Sequence, residues 1–103
     1  MSERMMATFT WTGDTSELRG RYDRVLEHVV EVSPARPLVH LASDIDTGFR
    51  VIDVWDNEQV CRAMVDNPAF KETLAEYGLG EVDITIAPVH NLGWPVSAMP
   101  MYR

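Results

Sequence analysis

Residues 6–12 read Met-Ala-Thr-Phe-Thr-Trp-Thr, with Ala7, Phe9 and Trp11 on one side and hydroxyl side chains on the other. A period of two in β-branched and aromatic residues predicts a strand. Gly13 ends it, and Asp14 with Glu17 three residues on has the spacing of a helix-opening capping box. Leu18, Tyr22, Val25, Leu26, Val29 and Val30 then recur at helical spacing, while Arg19, Arg21, Asp23, Arg24, Glu27 and Glu31 fill the other face. This pattern predicts an amphipathic helix, stopped by Pro34 and Pro37.

Two β-prone runs follow, residues 38–43 and 49–55, around a turn-rich stretch of about five residues ending at Gly48, and they predict a hairpin. Asp56 or Asn57 caps a second helical stretch with Val60, Cys61, Met64 and Val65 inward. Asn67-Pro68 restarts it, Phe70, Leu74 and Tyr77 extend the apolar stripe, and Gly78 and Gly80 close it. Residues 82–86 alternate as a last strand that runs towards Val89 and His90. The tail from residue 92 to 103, with two prolines, Trp94 and two of the six methionines, reads as an irregular arm.

The order β-α-β-β-α-β predicts a single α+β domain spanning residues 1–103, with a core over 6–91. Right-handed crossovers give a ferredoxin-like four-stranded antiparallel sheet with its helices on one face. The hairpin strands are apolar on both sides: Val39 and Leu41 alternate with Leu38, His40 and Ala42, and Ile52 and Val54 with Val51 and Trp55. A bare sheet face of that character is expected to be covered by a second copy, so a homodimer packed sheet against sheet is anticipated.

Composition narrows the possible partners. Sixteen acidic against nine basic residues leave a net charge of −7, which disfavours nucleic acid and anionic membrane as partners. A single cysteine excludes an intrachain disulfide and a cysteine-based zinc site. The three histidines are scattered without ligand spacing, and no glycine-rich phosphate loop is present, so neither a metal nor a nucleotide cofactor is expected. Asp44 and Asp46 bracket a turn and are explained by turn chemistry. With no apolar leader and no run long enough to span a bilayer, a cytoplasmic location is the expectation.

The residues Phe9-Thr-Trp11, Leu38-Val-His40, Val51-Ile-Asp-Val-Trp55-Asp56 and Val89-His90-Asn91 together resemble the dimeric α/β-barrel proteins. More narrowly, they resemble small actinobacterial relatives of the antibiotic-biosynthesis monooxygenase domain. The resemblance covers about residues 6–93, and the segment from Val54 through Leu74 is its most typical part. It implies the ferredoxin-like fold and a homodimer. It leaves the reaction open, because the superfamily holds cofactor-free oxygenases, haem-degrading enzymes, aromatic polyketide cyclases and isomerase-like members. In the haem-degrading branch, alignment on Val54-Trp55 puts the ligating histidine at Leu74 and the ring-distorting tryptophan at Met64, so haem ligation has no support.

Three residues are the candidates for chemistry. His40, mid-strand among apolar neighbours, is either a satisfied core or interface histidine or a general base. Asp53, between Ile52 and Val54, carries a charge that is costly to bury unpaired. Pairing Ala42 with Val51 sets Asp53 opposite His40 as an orienting carboxylate, whereas pairing Ala42 with Arg50 turns it to the other face, towards an arginine. His90 ends the last strand, either exposed or at a cavity mouth. Phe9, Trp11, Tyr22, Trp55 and Phe70 are expected to line a pocket between helices and sheet, with the Tyr22 hydroxyl in need of a partner. Cys61 reads as an inert core thiol and His28 as solvent-side.

The function anticipated is a cofactor-independent enzyme that moves protons on a small apolar, aromatic or polyketide-like molecule, of cyclase, isomerase or lyase type. A cofactor-free monooxygenase and a non-catalytic small-molecule-binding dimer are the rival readings.

Overall fold

The structure is a computed structural model, and it describes residues 3–93. The chain runs β1 (Met5–Thr12), α1 (Thr15–Val32), β2 (Val39–Ile45), β3 (Gly48–Trp55), α2 (Glu58–Val65), α3 (Pro68–Glu76) and β4 (Asp83–Pro88). The sheet is antiparallel throughout, in the order β2-β3-β1-β4. That is the ferredoxin-like α+β architecture expected from the pattern. The tail beyond residue 93, including Trp94, lies outside the described residues. Among the described residues no helix is long and apolar enough to cross a membrane.

Local chemistry sets each boundary. Asp14 accepts the Glu17 amide at 2.8 Å and opens α1. Glu17 does not close the expected box, because its carboxylate turns to Arg21 one turn on. Asn57, rather than Asp56, caps α2 through the Val60 amide at 2.9 Å, and Asn67 caps α3 just ahead of Pro68. Thus the second helical region is two short helices, broken where Asn67 and Pro68 reset the ladder.

The hairpin turn is tighter than the five-residue loop read from the sequence. Asp46 and Thr47 alone connect the strands, since Ile45 already pairs with Gly48. The turn is fastened to the start of α1. The Gly13 amide donates to the Thr47 carbonyl at 2.9 Å, and the Thr15 hydroxyl lies 3.0 Å from the Gly48 carbonyl. Gly48 is required by close approach, because a Cβ there would stand 1.9 Å from the Trp11 carbonyl oxygen.

Once the turn is fixed, every facing pair along the hairpin follows: Ala42 opposite Val51, His40 opposite Asp53. The helix-facing rows are Met5, Ala7, Phe9 and Trp11 on β1, with Phe49, Val51, Asp53 and Trp55 on β3. They meet Leu18, Val25, Met64, Phe70 and Leu74 from the helices, and Cys61 is fully buried among them. On the opposite face, Met6, Val39, Leu41, Ile52, Val54 and Ala87 alternate with Thr8, Thr10, Ser43, Arg50 and Thr85. Leu41 is exposed at 57%. The sheet therefore carries apolar side chains on both faces.

Two glycine substitutions check this geometry. Gly48→Ala forces backbone apart at the hairpin and is expected to destabilise the fold by about 2–3 kcal/mol. Gly20 lies in α1 with nothing within 4 Å of a built Cβ, so Gly20→Ala should add about 0.5–1 kcal/mol. Urea unfolding of the two variants beside the parent measures both.

Candidate active site

Asp53 is the only charged side chain in the buried core of the described residues, 6% exposed on the helix-facing side of β3. An ionised carboxylate there needs a donor. The hairpin register supplies one: His40 Nδ1 lies 2.5 Å from Asp53 Oδ1. Among the described residues Asp53 pairs with no arginine, the partner that the alternative register would have allowed. On the far side of the ring, His40 Nε2 lies 2.6 Å from the Tyr22 hydroxyl, which projects from α1. The tyrosine and imidazole planes are 13° apart with centroids at 6.1 Å. Three elements, α1, β2 and β3, thus contribute one side chain each to a single line, Tyr22–His40–Asp53.

The donors and acceptors in this line can be assigned. An ionised carboxylate only accepts, so Nδ1 carries the hydrogen. The Nε2 of a neutral imidazole is then a bare acceptor, and Tyr22 O–H donates to it. Protonation of Nε2 reverses that last bond, making the tyrosine oxygen the acceptor. The hydrogen bond to Asp53 holds the His40 pKa above its ordinary 6.5, against a smaller opposing effect of burial. Burial raises the Tyr22 pKa above its usual 10, and the Asp53 charge adds to the rise, so the phenol remains protonated at neutral pH.

The line opens onto a cavity of about 380 Å³ beneath the helices, within the roughly 300–1,000 Å³ range of small-molecule sites. All five side chains assigned to a pocket from the sequence, Phe9, Trp11, Tyr22, Trp55 and Phe70, line it, together with His40 and Asp53. Its walls are largely apolar, built from Val25, Leu26 and Val29 of α1 and Leu74 of α3. Phe9 meets Phe70 edge-on at 5.9 Å, and Trp11 Nε1 donates to the Leu79 carbonyl at 2.9 Å, which fixes that indole in the wall.

The remaining candidates sort differently. His90 does not join His40 and Asp53: it lies beyond β4 in a separate depression with Glu3, Arg4 and Asp56. It stands past the end of β4, the edge strand opposite β2. Cys61 is buried, and burial raises its thiol pKa, as an inert core cysteine requires. His28 is exposed and stacks on Tyr77 at 5.4 Å. Asp44 pairs with Arg19 at 2.7 Å on the surface. Arg36 and Ser33, in the loop after α1, also line the cavity and were not singled out in the sequence. Leu74 and Met64, the positions aligned with haem-branch residues, are both cavity wall.

The sequence matches no protein-family profile and no curated protein. Solved structures do share the fold. SnoaB, a cofactor-independent oxygenase from Streptomyces nogalater, superposes with a TM-score of 0.60 at 17% identity, over 89% of this chain and 97% of that one. A point variant of SnoaB gives 0.62 at 14% identity over the same shares. A dimeric ferredoxin-like protein from an uncultured marine organism gives 0.58 at 15% identity, over 92% of this chain and 94% of that one. The fold resemblance drawn from the sequence motifs is therefore borne out at the level of architecture.

The His40–Asp53 bond has a measurable signature. The folded His40 pKa is raised, so its contribution to stability is complete below about 6.5 and is lost as pH rises through the folded value. The stability gap between wild type and His40→Gln should shrink across that window. In NMR titrations His40 should titrate above 6.5, and Asp53→Asn should bring it down.

Proposed function

We propose that this protein is a cofactor-independent enzyme in which His40 removes a proton from a small aromatic or polyketide-like molecule held in the cavity. The observation that carries this reading is the Tyr22–His40–Asp53 line set into an apolar hollow. Both ring nitrogens are engaged, Nδ1 by the carboxylate and Nε2 by the Tyr22 hydroxyl, and ring and phenol both line the cavity, so a proton reaches Nε2 through that hydroxyl. Asp53 fixes the tautomer and stabilises the imidazolium that forms. Tyr22 is the neighbouring hydroxyl through which a proton enters or leaves Nε2. Return of the proton to a different substrate atom gives isomerisation or cyclisation, and its use on a leaving group gives elimination. The fixed orientation of the ring supplies much of the rate.

The fold likeness to SnoaB favours a second outcome of the same deprotonation. A phenolate delivers electrons from its ring carbon to dioxygen, forming a C–O bond and, with the proton returned from His40, a hydroperoxide. Loss of water then leaves a quinone, with one oxygen atom in the product and one in water. Dioxygen is the only oxidant required.

A second copy completes the particle in this reading. The apolar row of Val39, Leu41, Ile52 and Val54 on the open sheet face supports a homodimer packed face to face, and the dimeric ferredoxin-like protein shares the architecture.

Turnover of a panel of hydroxylated naphthalenes and polyketide-like diketones, followed by mass spectrometry, tests the chemistry. His40→Ala should lower kcat/KM by about 10²–10⁴-fold with the fold retained. The wild-type rate should rise with pH through the raised His40 pKa, because the neutral imidazole is the base. An aerobic and an anaerobic arm separate quinone formation from isomerisation. Ligand-raised melting temperature without any product would identify a binding protein instead. For the dimer, Leu41→Glu places a charge opposite Ile52 and should shift sedimentation from dimer to monomer; a monomeric wild type contradicts that part.

A further inference from the structure

Two charged side chains line the cavity, Asp53 and Arg36. Asp53 is engaged by His40. Arg36 is exposed in the loop between α1 and β2, and among the described residues it joins none of the ion pairs, which involve Arg19, Arg21 and Arg62. Leu26 and Val30 of α1 line the same cavity while 40% and 69% exposed. The exposed part of the lining therefore combines an unengaged guanidinium with uncovered apolar side chains. Ser33, the other polar side chain of this loop in the lining, already donates to the Ala35 carbonyl.

We propose that Arg36 is a specificity-determining residue that binds a carboxylate on the substrate, so that the molecule turned over is an aromatic acid. This rests on the proposed small-molecule function of the cavity. His40 follows Arg36 by four positions, so their Cα atoms stand at most about 14 Å apart. A rigid ring system reaching from one to the other presents its acidic hydroxyl to His40 and its carboxylate to Arg36. The planar fork of the guanidinium matches a carboxylate with two parallel hydrogen bonds. The surrounding net charge of −7 repels anions in general, so a cation at the entrance creates a local exception and orients the acid with its charged end outward. The apolar rings then meet Leu26, Val29 and Phe9 inside. A neutral phenol lacks this handle and enters in either direction.

An arginine whose stem merely covers apolar wall is the alternative account, and the two part company in binding. The probe is a hydroxynaphthoic acid with hydroxyl and carboxylate at opposite ends of the rings, compared with its methyl ester by calorimetry. The wild type should bind the acid at least tenfold more tightly than the ester. Arg36→Gln should abolish that preference and leave ester affinity unchanged, while Arg36→Lys keeps part of it. Added salt should weaken the acid alone. Equal binding of acid and ester by the wild type, or a preference that survives Arg36→Gln, overturns the assignment of Arg36 while the cavity reading stands. An equal loss of acid and ester in Arg36→Gln supports the packing account and overturns the assignment too. Binding of neither probe overturns the assignment and the cavity reading together.

Discussion

A carboxylate inside an apolar core is the constraint around which this small domain is arranged. Asp53 sits buried and helix-side on β3, between β1 and the edge strand β2, where an unpaired charge would cost several kcal/mol. One contact with His40 removes that difficulty and simultaneously determines the histidine's tautomer, its basicity and its direction. The contact exists because the hairpin has one register, and the register holds because a two-residue turn is tied to the start of α1 through Gly13, Thr15 and Gly48. Backbone geometry at one end of the sheet thus sets side-chain chemistry several residues away.

The helix layer converts that pair into a site. α1 packs across β3 through Val25 and Leu18, which leaves Tyr22 over His40 and Phe49. α2 and α3, being short and joined at a sharp break, close the other side with Met64, Phe70 and Leu74 without filling the hollow. His40 stands at the edge of this apolar hollow, its side chain 36% exposed, while its partner Asp53 is buried beneath it.

Much of this was legible in the sequence, and the reasons are local. Strand alternation in β1, the stripe of α1, the Asp14 cap and the reset at Asn67-Pro68 are all dictated by neighbouring residues, and together they define the ferredoxin-like order. The aromatic lining followed from that order, since Phe9, Trp11 and Trp55 share the helix-facing rows. What the pattern left open was long-range. The register choice between Val51 and Arg50 opposite Ala42 depends on bonds from residues 13 and 15 to the hairpin turn, and no local preference reports them. The partner of the Tyr22 hydroxyl depended on that choice. His90 was drawn towards the site by its neighbours in the motif, but β4 lies at the edge opposite β2, and the strand order carries it away. Arg36 escaped notice because a lone arginine in a proline-flanked loop resembles any solvated charge until the cavity is seen beneath it.

Nitrogen NMR of the His40 ring most directly tests whether Asp53 holds this imidazole as a base facing a ligand cavity. Above its pKa the ring should be the tautomer protonated at Nδ1, and a hydroxynaphthalene should shift the Nε2 resonance while leaving Nδ1 bonded to the carboxylate. A ring protonated at Nε2, or one indifferent to every ligand that enters the cavity, would contradict the account.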